Sequence, residues 1–373
     1  MTTRLNHGDG SLGSAELEEP SPRFSGAGTP ANLPVPRVAW SRVWWFYGIA
    51  FGGAVLVASL LWVLRQAGTP TVLILGGTAL LYMPLPLVAG LIVERRARRS
   101  PLIAAEWRRL RTRFWATAGR SAGYAMAVMV GVLALGFAMA WLAGTLGLPG
   151  AGHLVAGDAE FGARMMEIVP GLTAETPMPP VAVVVGGGLF AGLLAGLTIN
   201  GLFAFGEEYG WRGVLADELR PLGTWQANLL TGVLWGLWHA PIIILMGHNY
   251  GSEWGWGIPV MVAWTTPLAF LLSWVRDRSG SVLAPAILHG AYNGTMGFFA
   301  FTIIGGSLLV SLPLGLLMSP VLILGAVVVW RLPVKSARSA SGPATAAVRH
   351  RLGVDYAAED VRQAESGSRH RAP

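Results

Sequence analysis

Cysteine is absent from this chain of 373 residues. Disulfides, thiolate metal ligands and a cysteine nucleophile are therefore excluded. Lysine occurs once, at Lys335, against 26 arginines. A Ser-Lys pair inside an apolar segment is thereby ruled out, and the imbalance, with abundant Ala and Gly, points to a GC-rich bacterial genome. The zinc signature His-Glu-x-x-His and the serine elbow Gly-x-Ser-x-Gly are both missing. No aspartate falls inside a long apolar stretch, which removes an aspartyl dyad. Charge itself is scarce, at 13% of residues against 53% hydrophobic.

What fills the chain instead is apolar sequence in runs near the roughly 20 residues that cross a bilayer as a helix. Eight candidate spans lie at about 43–64, 70–93, 121–147, 181–205, 226–246, 257–275, 282–305 and 307–330. The fold class expected is all-α: a polytopic membrane protein of about eight transmembrane helices, with any catalytic site inside the helix bundle. Residues 1–40 read as a disordered cytoplasmic leader, 41–331 as the transmembrane domain and 332–373 as a disordered cytoplasmic tail. The leader is polar and lacks the layout of a cleavable signal peptide, so the first span is expected to remain as an anchor.

Nine arginines lie between Arg95 and Arg120. With an even number of spans and both termini cytoplasmic, this segment and nearly every other basic residue face inward, as the positive-inside rule requires. The expected location is the cell membrane, and the expected contact of the arginines is anionic lipid of the bilayer rather than nucleic acid. The connection 148–180 reads as a surface helix or lid, and residues 214–225 as an amphipathic segment along the cytoplasmic interface. Tryptophans near span ends, such as Trp44, Trp45, Trp254, Trp256 and Trp274, read as interfacial anchors.

Against this apolar background, Glu207 and Glu208 stand at the end of the 181–205 stretch, followed by Arg212. Carboxylates at the end of a membrane-length segment are costly to keep and mark function by default. Residues four apart on a helix share a face, so Glu208 is expected to pair with Arg212 and leave Glu207 the freer carboxylate. The same spacing joins Trp235 to His239, and His289 to Asn293. A glutamate with a histidine can activate water, and a second histidine with an asparagine amide can hold the resulting oxyanion. Pro241 and Pro285 should open space beside the two histidines. His248, in a short polar loop, is expected on the outer side, away from Glu207.

The three islands, Glu207-Glu208-Tyr-Gly-Trp-Arg212, Trp235-Gly-Leu-Trp-His239 and His289-Gly-Ala-Tyr-Asn293, resemble the three-motif signature of the CPBP family, the CAAX prenyl proteases and bacteriocin-processing enzymes also called Abi. The resemblance covers about residues 181–305. It implies an intramembrane endopeptidase acting on a membrane-associated peptide or protein. Glu207 and His239 would activate water, with His289 and Asn293 at the oxyanion, and Glu208, Arg212 and Trp235 in support. Trp235 stands where the pattern has Phe, an exchange expected to leave the catalytic groups untouched. No cofactor is favoured; the alternative is zinc held by Glu207, His239 and His289. The rival function is a non-catalytic scaffold, immunity protein or transporter that uses the buried polar cluster for binding.

Overall fold

The long apolar runs become long helices in the computed structural model, which describes residues 37–169 and 171–332. The expectations for the leader and tail fall outside the described residues, apart from their innermost ends. In chain order the helices are α1 Trp40–Gln66, α2 Thr71–Gly77, α3 Leu85–Arg96, α4 Leu102–Thr145, α5 Asp158–Ile168, α6 Val181–Leu197, α7 Ile199–Glu208, α8 Ala216–Leu219, α9 Thr224–Trp238, α10 Ala240–Met246, α11 Trp254–Ser279, α12 Leu283–Thr302 and α13 Met318–Arg331. Two residue pairs, β1 His153–Leu154 and β2 Ile303–Ile304, form the one antiparallel ladder among the described residues. The protein is an all-α, multi-pass membrane protein. Its outward faces carry side chains such as Leu56, Val72, Leu80 and Leu202, which a bilayer rather than water must cover.

The expected count of eight spans is not confirmed. Among the described residues, five helical stretches are long and apolar enough to cross a membrane: Trp40–Gln66, Thr71–Arg96, Leu102–Thr145, Thr224–Met246 and Gly251–Ser279. A sixth follows if α6 and the segment Ile199–Leu222, bent by 49° at Thr198, count as one. The stretch taken as the eighth span breaks up because Gly305, Gly306 and Pro313 interrupt it, leaving α13 with 14 residues. At about 1.5 Å per residue that is short of a bilayer. The stretch taken as the seventh becomes α12, whose histidine, asparagine and three glycines dilute its apolarity. Position explains that composition. Helices α4, α6, α7 and α11 all pack on α12, so it faces protein and needs no lipid-compatible surface.

Glycine sets how closely α12 is approached. A methyl group built at Gly192 of α6 would lie 2.7 Å from the Gly294 carbonyl oxygen, and one at Gly196 would lie 2.5 Å from the Ala291 methyl. Small residues spaced four apart thus bring two backbones together, the usual device for helix contact in lipid. Two π-turns, Thr78–Tyr82 after α2 and Tyr209–Leu215 after α7, widen the helices where they meet the interior; such bulges recur at functional sites.

The connection 148–180 holds β1 and α5, and the Val181 amide donates to Asp158 Oδ1 at 2.7 Å, fastening it to the start of α6. The segment after α7 is pinned rather than adrift at an interface. Glu218 is buried and accepts from Arg42 and Arg99 at 2.9 and 2.6 Å. Trp274 is likewise no anchor: it is buried, with its ring edge-on to Tyr124 and Arg278 over its face.

Candidate active site

The two glutamates close α7 but do not end the helical path. The helical path runs on through the π-turn to Leu219, so Glu207, Glu208 and Arg212 are all buried inside the bundle. Arg212 Nη1 donates to Glu208 Oε1 at 3.1 Å, the ion pair that the four-residue spacing requires. The same oxygen also accepts from His289 Nδ1 at 2.8 Å, a contact between α7 and α12 that no local spacing reveals. Glu208 is therefore both the counter-ion of Arg212 and the group that fixes the ring of His289. With Nδ1–H committed to the carboxylate, Nε2 is the nitrogen of His289 left for other partners.

Trp235 is the hub of the site. Its indole N–H donates to Glu207 Oε2 at 3.0 Å. Its carbonyl accepts from His239 Nδ1 at 2.8 Å, which leaves Nε2 of the neutral His239 ring with a lone pair. The Arg212 guanidinium stacks 4.2 Å from its ring centroid, and His289 packs edge-on at 5.3 Å. The expectation that tryptophan in place of phenylalanine leaves the catalytic groups untouched is overturned, because phenylalanine has no N–H to offer Glu207. The donor property of indole was the available signal.

His239 stands at a break in the helical path. Pro241 lies in the first turn of α10, where its missing N–H breaks no interior bond, and the path steps from α9 to α10 at His239. Pro285 sits in the first turn of α12 and introduces no kink beside His289.

Glu207, Trp235, His239, His289 and Asn293 all border one cavity of about 210 Å³. Most of its other walls are apolar or aromatic and include Tyr82, Trp238, Trp264 and Tyr292. Glu207 makes no direct hydrogen bond to His239. The cavity they share is large enough for several waters, since one water needs only about 10–15 Å³ by this measure. Asn293 is exposed to that space, and its amide has no hydrogen-bond partner among the described residues. Glu208 and Arg212 lie behind the wall rather than on it.

His248 is also on the wall, with Asn249 beside it, and within electrostatic reach of His239. The expectation of a solvated loop remote from the glutamates is thus corrected. Gly247, Asn249 and Gly251 all have positive φ, 67°, 66° and 54°, and these reversals fold the loop back over the cavity. Burial pushes the His248 imidazole down to about 4. The run Gly-His-Asn-Tyr-Gly was the sequence signal, since glycine and asparagine are the residues that favour that backbone region.

Comparison with known proteins meets this geometry over the same part of the chain. Residues 177–295 match the family of type II CAAX prenyl endopeptidase Rce1-like proteins. A curated relative, CAAX prenyl protease 2 of Methanococcus maripaludis, is 30% identical over 105 residues, which cover 26% of this chain and 37% of that protein. The chain thus matches little more than a third of that relative's length. No solved structure matches it. The three motifs, brought to one cavity from α7, α9 and α12, all lie within the segment that is similar to the Rce1-like CAAX proteases.

Proposed function

We propose that this protein is an intramembrane endopeptidase that hydrolyses a peptide bond of a membrane-associated polypeptide. The observation that carries this reading is the convergence of Glu207, His239, His289 and Asn293 on one walled cavity, with Trp235 and Glu208 fixing three of them. A water in the cavity donates one proton toward Glu207 and the other to His239 Nε2. Glu207 takes its proton as the oxygen attacks the carbonyl carbon. The oxyanion that forms accepts hydrogen bonds from the Asn293 amide and from Nε2–H of His289 in its imidazolium form. Collapse of the tetrahedral centre breaks the C–N bond, and the proton held by Glu207 passes to the leaving amine. One water is consumed, and one carboxylic acid and one amine result.

The mechanism proposed uses no metal; among the described residues no three His, Cys, Asp or Glu side chains gather as a metal site. Both termini face the cytoplasm in this reading, with the arginines of 95–120 on the inner surface of the cell membrane. The test compares new N-termini in the membrane proteome of cells expressing wild type or Glu207→Gln. Products made by the wild type and missing with Glu207→Gln are expected; identical sets from the two would overturn the reading.

A further inference from the structure

The wall of the cavity is nearly spent as a source of hydrogen bonds. Outside the reacting set, the Thr78 hydroxyl donates to the Ile74 carbonyl at 3.0 Å, and the Tyr82 hydroxyl to the Trp238 carbonyl at 2.7 Å. Trp238 Nε1 donates to the Ala50 carbonyl at 3.1 Å, Trp264 Nε1 to the Tyr250 hydroxyl at 3.1 Å, and the Tyr292 hydroxyl to the Pro313 carbonyl at 3.0 Å. Only His248 and Asn249 line the cavity with polar side chains that, among the described residues, engage no protein group.

A peptide entering this space leaves water, and each backbone N–H and C=O it brings loses a partner unless the wall supplies one. A neutral imidazole carries one N–H donor and one lone-pair acceptor, the complement of a peptide unit. Of the three cavity imidazoles, His239 and His289 have each committed Nδ1. His248 alone has both nitrogens open.

The loop that presents it is firmly held. Tyr250 is buried, its hydroxyl donating to the Leu314 carbonyl at 3.0 Å while accepting from Trp264. The Gly251 amide closes on the Gly247 carbonyl at 2.8 Å. A side chain on such a loop can recognise a ligand without first being ordered, which favours binding.

We propose that His248 is a substrate-binding residue, hydrogen-bonding the backbone of the peptide beside the bond under attack. The inference rests on the endopeptidase reading above and adds a specificity contact from outside the three motifs. It assigns His248 to ground-state binding, separate from the water-activating pair.

The experiment uses the full-length protein in detergent, with a peptide spanning a cleavage site found by the N-terminal comparison of wild type and Glu207→Gln. His248→Phe keeps the bulk and removes both hydrogen-bonding atoms, and KM is expected to rise about 10-fold with kcat within about threefold, the pattern of lost uniform binding. His248→Gln keeps a donor and an acceptor and should hold KM within about threefold. If His248→Phe does not fold, His248→Ala carries the same expectation. A KM unchanged in the folded variant, or a fall in kcat at constant KM, overturns the assignment while the endopeptidase reading stands. Absence of any wild-type product overturns both.

Discussion

Trp235→Phe isolates one atom of the site. The substitution keeps an aromatic face under Arg212 and leaves the backbone carbonyl that holds His239 unchanged. It deletes the N–H that lies 3.0 Å from Glu207 Oε2, in a place where Glu207 is only 3% exposed and no water replaces the donor without cost. Hydrogen bonds to charged groups contribute about 1.5–3 kcal/mol. If that interaction holds Glu207 in the attacking geometry, its loss raises the barrier by the same amount, which is about 10–100-fold in kcat/KM. The control is Trp264→Phe, which removes a second indole from the same cavity wall, but one whose N–H serves Tyr250 rather than Glu207. The assay is turnover of a cleavable peptide by purified protein, beside a melting curve for each variant. Trp264→Phe is expected within about threefold of wild type. A folded Trp235→Phe that keeps more than a third of wild-type kcat/KM would refute the claim that the indole positions the glutamate.

Four further outcomes follow from the geometry. Glu207→Gln should fold and melt like wild type with activity down at least 100-fold, the scale of a lost general base; Glu208→Gln should instead fail in both respects, because Arg212 loses its buried partner at a cost of about 3–5 kcal/mol and His289 loses its clamp. His248 titrates near 4 in the native protein against about 6.5 when unfolded, so the unfolded state binds more protons between those values and stability falls as pH drops from about 6.5 to 4; His248→Gln should flatten the decline in melting temperature over that window, and an unchanged slope would contradict the burial of the ring. Activity should survive chelation of divalent ions, and loss restored by zinc alone would make Glu207, His239 and His289 ligands. Gly196→Leu should sharply reduce the yield of folded protein, since even its first carbon would lie 2.5 Å from Ala291; normal expression and melting would show that the approach of α6 to α12 is not needed.

Much of the site was legible because helix geometry is local. The Glu208–Arg212 pair follows from a spacing of four, and the three islands are short enough for each to sit on one helix face. What escaped was tertiary. The bond from His289 to Glu208 joins residues 81 apart, and that from Trp235 to Glu207 joins residues 28 apart. The all-α class was legible, while the count of eight spans is not confirmed: apolarity reports contact with lipid, whereas α12 is enclosed by other helices and was free to become polar, and Gly305, Gly306 and Pro313 interrupt the last stretch. His248 was misplaced because a run of polar residues between apolar stretches signals a loop but not the direction in which three left-handed residues send it.

The π-turn Thr78–Tyr82 gives the cavity a wall from outside the segment that matches the Rce1-like family. The cavity lining is thus shared between the matched segment and a part of the chain that precedes it. A fragment cut to the matched boundaries would keep Glu207, His239, His289 and Asn293 and lose the part of the wall that Thr78, Tyr82 and Met83 supply.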